Sequence, residues 1–249
     1  MGFPVWDFTK GRYRVRFSDD GQDVARCLVL RAEVFRKDRQ ADDRDAFDAR
    51  CCHVLIEDAG TGQLACCFRI LPLASAAALP DSYAARSYDL TRLHAYPGKL
   101  VELGRFCVSP AVSDPDVVRV AWGALTAYVD GEDVSMLIGC SSFPGINVTP
   151  HLPVFEYLFR KHLGPDRWRP GSKAKETVPL TSGAQDDQKV GKQTFAAMPP
   201  LLRSYLLMGG WVSDHAVVDR DLNTPHVFTT LEVASIPESR KRLLRALSL

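Results

Sequence analysis

The stretch Lys99-Leu-Val-Glu-Leu-Gly-Arg-Phe-Cys-Val108 interrupts an apolar run with one acid, Glu102, and one base, Arg105. Charges on a core strand are costly unless a substrate, a partner or a neighbouring charge answers them. A positioned carboxylate can take a proton from an attacking amine, and a guanidinium can hold a carboxylate or a developing oxyanion. Matching residues occur in Arg31-Ala-Glu-Val-Phe35, in Asp45-Ala-Phe47-Asp48 and in Cys67-Phe-Arg69-Ile-Leu-Pro72. Arg31, Arg69 and Arg105 are candidates for fork-like carboxylate binding, and Asp45 and Asp48 for binding an ammonium group. Phe35 and Phe47 are candidates to border an apolar group. The plainer alternative is structural: the Arg and Asp side chains pair with one another, Glu102 pairs with Arg105 or Arg31, and the aromatics fill the core. Sequence leaves both readings open. Glu102 and Arg105 are three residues apart, so a regular strand would point them to opposite faces, and a β-bulge near Gly104 would re-aim one.

The elements that must position these groups follow from the apolar pattern. Residues 12–17 alternate as a strand, and Ser18-Asp-Asp-Gly21 supplies cap chemistry for a helix over roughly 22–37. Residues 38–50 form a charged loop, 53–57 and 63–71 a hairpin about Asp58-Ala-Gly-Thr-Gly62, and 73–98 a long connection. A strand at 99–108 is followed by a helix over 115–129, a buried strand at 134–140 and an amphipathic helix at 152–163. Residues 164–193 are polar and rich in Gly and Pro, which predicts a surface insertion. Strands near 204–218 and 226–234 and a basic terminal helix at 237–247 complete a single-domain reading. Hairpins early and helix-separated strands later favour a mixed α/β sheet flanked by helices over a doubly wound one.

At 249 residues, with 46% hydrophobic and 24% charged residues, the chain has ample material for a core. A formal net charge of +1 gives no support to a general nucleic-acid role. The seven Cys show no C-x-x-C spacing and lie mostly in apolar runs, as expected of buried thiols in a reducing cytosol. The N-terminus lacks a secretory pattern, and no apolar run approaches the ~18 residues needed to cross a bilayer. The expected location is the cytoplasm, with at most peripheral contact at the inner face of the membrane.

The order of elements resembles the GNAT acyltransferase fold, a central, mostly antiparallel sheet flanked by helices. Within that superfamily, Arg31, Phe35, Asp45, Asp48, Arg69, Glu102 and Arg105 resemble, in order and spacing, two groups that use acyl carrier protein. These are the acyl-homoserine-lactone synthases and the L-ornithine N-alpha-acyltransferases. The synthases usually carry a Trp between the first aromatic and the acidic pair, and residues 36–47 contain none. Gly139-Cys-Ser-Ser-Phe-Pro-Gly145 and the segments from Pro199 to Tyr205 and from Asp219 to Thr224 also look like the ornithine enzymes.

The resemblance implies transfer of a 3-hydroxyfatty or other fatty acyl group from acyl carrier protein to the α-amine of L-ornithine, giving lyso-ornithine lipid. It implies Glu102 as the base, with Arg105 beside it. Tyr157 stands where many GNAT enzymes protonate the leaving thiolate, although its apolar flanks suit a core tyrosine as well. Ser141 and Ser142 stand where the pantetheine arm would pass, or simply close a turn. No permanently bound cofactor and no metal is implied; the phosphopantetheine arm of the carrier is the donor. GNAT enzymes that use acetyl-CoA carry a Gly-rich turn after the fourth strand that cradles pyrophosphate. Here the corresponding Ser109-Pro-Ala-Val-Ser-Asp-Pro-Asp116 has two Pro, two Asp and no Gly, which favours a carrier protein over free CoA.

Two basic segments could meet an acidic carrier or an anionic membrane: one with Arg160, Lys161, Arg167, Arg169, Lys173 and Lys175, the other with Arg240, Lys241, Arg242 and Arg245. Arg167, Arg169 and Lys173 are the carrier-docking candidates. Hydrolase and metalloenzyme readings fail for want of a G-x-S-x-G pattern or H-x-x-x-H spacing. A lactone-forming synthase and a non-catalytic module that binds acyl carrier or lipid remain as alternatives.

Overall fold

The computed structural model describes residues 6–181, 194–195 and 197–248. The chain forms two compact units, each assembled from separated segments: Met1–Pro72, Val101–Val134 and Glu238–Leu249 make the first, and Leu73–Leu100 and Ser135–Pro237 the second.

In the first unit, strands β1 (Asp7–Lys10), β2 (Tyr13–Ser18), β3 (Cys52–Asp58), β4 (Leu64–Leu73) and β6 (Lys99–Val108) lie side by side in that order. The first four pair antiparallel, with Phe8 opposite Val15, Val15 opposite Ile56, and Val54 opposite Phe68. Alternation in β2 buries Tyr13, Val15 and Phe17 while the intervening Arg14 faces solvent. Edge strand β1 is short, and its apolar content gave no signal in the sequence. Helix α1 (Gly21–Arg31) starts at Asp20, whose carboxylate accepts the N–H of Gln22 at 2.8 Å. It runs on into a π-helical turn, Ala32–Arg36, closed by Lys37 in the left-handed region at φ 59°. The predicted helix over 22–37 is therefore present, with a change of winding in its last turn.

Helix α2 (Asp116–Gly131) buries Val117, Val120, Ala121, Ala124, Leu125 and Tyr128, the spacing of one apolar face. The terminal helix α5 (Glu238–Ser248) lies against it. A side chain at Gly123 would place Cβ 2.5 Å from the carbonyl oxygen of Leu247, so glycine sets how closely the two helices approach. Arg245 Nε donates to Asp130 Oδ2 at 2.8 Å, and Lys10 Nζ to the Ala246 carbonyl at 2.8 Å.

In the second unit, β7 (Val134–Ser142), β11 (Thr224–Glu232), β10 (Trp211–Asp219) and β9 (Thr177–Pro179) follow one another, all antiparallel. Helices α3 (Leu152–His162) and α4 (Pro200–Leu207) bury Phe155, Leu158, Leu202 and Leu206 with Phe143, Val212 and Val227. The predicted long connection at 73–98 is a string of 3₁₀ turns around buried Leu79, Leu90 and Leu93. Between them lies the short strand β5 (Tyr88–Asp89), paired with β8 (Gly171–Ser172).

One boundary needs correction. Residues 204–207 are helical, not the start of a strand; Leu202, Tyr205 and Leu206 fall on one helical face. Pro200 suits a first helical turn, and Gly209 at φ 94° ends it. At Gly210 an added Cβ would lie 2.8 Å from the carbonyl oxygens of both Thr230 and Tyr205, so the chain turns sharply into β10. The predicted insertion at 164–193 contains β8 and β9, and its residues 182–193 lie outside the described residues. Six Cys are buried and Cys140 is half-buried, all free, as expected of thiols used as small hydrophobes. No helix among the described residues is long and apolar enough to cross a membrane.

Candidate active site

The first unit brings Arg31, Arg69 and Arg105 together with Asp45 and Asp48, and adds Asp43 and Arg36. Arg31, 1% exposed at the end of α1, donates from Nη1 to Asp48 Oδ1 (2.6 Å), from Nε to Asp43 Oδ2 (2.9 Å) and from Nη2 to the Asp43 carbonyl (2.6 Å). Arg69 on β4 donates from Nη1 to Asp45 Oδ1 and Asp48 Oδ1, both at 2.6 Å, and from Nη2 to Asp45 Oδ2 at 2.7 Å. Arg105 on β6 donates from Nε to Asp43 Oδ2 at 3.0 Å, while its Nη2 stands 3.5 Å from Asp45 Oδ2. Arg36 Nε donates to Asp43 Oδ1 at 2.9 Å.

Local structure explains how these groups converge. Residues five apart diverge by about 140° in an α-helix, and the wider i→i+5 winding narrows that angle. The π turn thereby lets Arg31 and Arg36 reach one carboxylate. The loop holding the Asp residues is pinned by its own side chains: Asp48 Oδ2 accepts the Asp45 N–H and Asp45 Oδ1 the Phe47 N–H, both at 2.9 Å. His53 Nε2 donates to the Asp48 carbonyl at 3.2 Å.

The irregularity expected near Gly104 falls at the next residue, Arg105, whose φ of 52° is left-handed. A Cβ at Gly104 would sit 3.3 Å from Arg69 Nε, so glycine there lets Arg69 lie across β6. Phe35 and Phe47, expected beside an apolar group, each face a guanidinium: Arg105 lies over Phe35 (5.8 Å) and Arg69 over Phe47 (5.7 Å). Phe35 also packs against Cys27, Leu30 and Cys107.

Electrostatics follow from the pairing. Burial pushes the Asp48 carboxyl upward, but the Arg31 hydrogen bond, the Asp45 N–H and the two guanidinium charges outweigh it and hold Asp48 down to about 2. Asp45 is likewise net lowered, with burial opposing and Arg69 prevailing. Glu102 is buried at 4% exposure. Cys51 feels its charge: burial first, then the carboxylates of Asp48, Glu102 and Asp45, push the thiol up to about 12 against the opposing pull of Arg69. Glu102 therefore stands in the same charged neighbourhood. Among the described residues, no group of His, Cys, Asp or Glu could hold a metal ion.

Chemically, this arrangement offers the buried carboxylates of Asp43 and Asp48 flanked by fixed guanidiniums, with Arg36, Asp45 and Arg105 at its more open edge (22%, 17% and 9% side-chain exposure). Residues 27–123 match the GNAT acetyltransferase domain family. An L-ornithine N(alpha)-acyltransferase of Agrobacterium fabrum (strain C58) is 32% identical over 220 residues, covering 83% of this chain and 72% of that protein. The chain belongs to the L-ornithine N(alpha)-acyltransferase family. The Rhodobacter capsulatus member is 28% identical over 244 residues, covering 92% and 93% of the two chains. A solved N-acyl amino acid synthase from uncultured soil microbes is 12% identical, with a TM-score of 0.49 over 90% of this chain and 94% of that one. Family membership makes the chain an N-acyltransferase, and the matched domain makes it a GNAT-fold one.

The remaining expected residues lie in the second unit. Tyr157 is half-buried against the Phe143–Leu158 core, its ring 5.4 Å from that of His162, as a core tyrosine would be. Ser141 Oγ accepts a hydrogen bond from Thr229 Oγ1 at 2.9 Å, and Ser142 is exposed. Of the docking candidates, Arg167 is exposed and lies over Trp168 at 5.2 Å. Arg169 is instead tied to the Gly164 carbonyl at 3.2 Å and paired with Asp166 and Asp214, and Lys173 donates to the Ala85 carbonyl at 2.7 Å. Asp43 and Arg36 escaped the sequence reading because five Asp crowd residues 38–48 and spacing does not say which turns inward.

Proposed function

We propose that this enzyme transfers a fatty acyl group, 3-hydroxylated or not, from the phosphopantetheine thioester of acyl carrier protein to the α-amine of L-ornithine, yielding lyso-ornithine lipid. The carrying observation is membership of the ornithine-acylating family across 83% of the chain. In this reading Glu102 accepts a proton from the α-ammonium, directly or through water. The freed amine attacks the thioester carbon, the C–N bond forms, the C–S bond breaks, and the proton that the attacking nitrogen then sheds goes to the leaving pantetheine thiolate. Arg105 receives the acceptor's carboxylate and Asp45 its distal ammonium, both being more open than Arg31, Arg69, Asp43 and Asp48. Arg31, Arg69 and Asp48, proposed from sequence as ligands, brace that edge instead: their hydrogen-bonding groups face one another in the interior.

The turn after β6 supports a carrier-bound donor. Ala111, Val112 and Asp116 spend their N–H groups within the turn, on Ser109 Oγ, the Ser109 carbonyl and Asp114 Oδ1, rather than presenting them to a pyrophosphate. Exposed Arg167, and exposed Arg240 and Arg242 on α5, are the basic groups for the acidic carrier or anionic lipid. The test is direct: incubate the purified protein with 3-hydroxyacyl carrier protein and a panel of amino acids, and identify products by mass. N-acylornithine should predominate, with acyl-CoA a far poorer donor. No acylated amino acid, or equal efficiency with acyl-CoA, would overturn the corresponding half of the reading.

A further inference from the structure

The structure singles out a residue that touches none of the groups to be joined. The Asp43 side chain has no exposure, yet three guanidinium Nε atoms converge on it: Arg31 and Arg36 at 2.9 Å and Arg105 at 3.0 Å. Arg105 departs from a left-handed backbone, φ 52°, which a non-glycine residue adopts only against steric resistance. Such a conformation persists only where the surroundings over-determine it. Beside the 3.5 Å approach of Nη2 to Asp45, two contacts hold the group: the Asp43 carboxylate on the Nε edge of Arg105, and the Phe35 ring against one face of its guanidinium plane. A guanidinium is planar, so fixing its Nε edge and one face fixes the direction of its two Nη groups.

We infer that Asp43 is a positioning residue, whose bond to Arg105 Nε aims the Arg105 fork at the carboxylate of the amino-acid acceptor. The inference rests on the reading of Arg105 given above. Asp43 acts through geometry alone, since it reaches neither solvent nor substrate. Its bonds to Arg31 and Arg36 tie that aim to the end of α1 and the π turn. The odd winding of the helix and the odd backbone of the strand then serve one purpose: both bring Nε donors to a single carboxylate.

The test is a double-mutant cycle on the full-length enzyme, with 3-hydroxyacyl carrier protein saturating and ornithine varied. Asp43→Asn should raise the KM for ornithine about tenfold or more, the scale of a lost hydrogen bond to a charged group, while kcat per folded enzyme changes little. In an Arg105→Ala background, Asp43→Asn should raise KM no further. Arg105→Lys keeps the charge and spares the Arg31 and Arg36 bonds but removes Nε, and it should reproduce the KM increase. If Asp43→Asn does not fold, an unchanged KM in Arg105→Lys still overturns the inference. A purely structural role would lower the folded fraction and leave KM where it was. If the two substitutions add in KM, or Arg105→Lys binds ornithine like wild type, Asp43 does not position Arg105. If Arg105→Ala itself leaves KM unchanged, Arg105 is not the carboxylate ligand, and the inference falls with that reading.

Discussion

Replacing Asp48 by Asn tests whether the charged cluster holds the first unit together. Arg31 and Arg69 are 1% and 3% exposed, and each places an Nη1 donor 2.6 Å from Asp48 Oδ1. Neutralising Asp48 leaves two buried guanidiniums short of a counter-charge, and breaking a buried pair on one side typically costs about 3–5 kcal/mol. A second signature comes from pH. Asp48 is held at about 2 against an ordinary 3.8, with burial opposed and outweighed by Arg31, the Asp45 N–H and Arg69. A lowered folded-state pKa stabilises the fold above the unfolded value and fades as pH falls through the folded one. Asp48 should therefore contribute about 2 kcal/mol that is complete above roughly pH 4 and lost toward pH 2. The assay is urea unfolding followed by far-ultraviolet circular dichroism, at neutral pH and along a descending pH series. Asp48→Asn should lose about 3–5 kcal/mol at neutral pH and show a correspondingly shallower acid limb. A loss below about 1 kcal/mol, with the wild-type acid limb retained, would refute the reasoning: the bridges would then be no better than solvated surface pairs.

Glu102→Gln should cut turnover about 100-fold while leaving the unfolding midpoint near wild type, the usual scale for a lost general base; turnover within a few-fold of wild type would make Glu102 structural. Gly210→Ala should destabilise by roughly 1–3 kcal/mol, because its Cβ would lie 2.8 Å from the backbone oxygens of Thr230 and Tyr205 and the backbone must shift; an unchanged melting temperature would count against that tight approach. Arg167→Glu should raise the apparent KM for acyl carrier protein, with the wild-type rate at low donor falling as salt rises, since screening acts beyond about 8 Å at physiological ionic strength. Arg240→Glu with Arg242→Glu should instead reduce sedimentation with anionic vesicles if α5 meets lipid; no change in either assay for either set would make both segments merely solvated faces.

The sequence alone carried the order of elements, because burial patterns repeat with the backbone: alternation in Tyr13–Ser18, one apolar face in Asp116–Gly131, and the hairpin about Asp58–Gly62 are local facts. It also carried the list of charged residues that meet, since Arg31, Asp45, Asp48, Arg69 and Arg105 are costly to bury singly and the resemblance groups them. It failed at residues 204–207, where an apolar run suited strand and helix alike, and only packing of Leu202, Tyr205 and Leu206 chose. Tertiary structure alone decided which charges brace and which face outward. Asp43 and Asp45 stand two apart in one polar loop, yet one side chain is fully enclosed and the other 17% exposed. That difference arises from a π turn in α1 and a left-handed residue in β6, where backbone conformation is imposed by long-range partners rather than by local preference. Pairing energy between buried charges depends on distance and exposure, and neither quantity is written in the order of the residues.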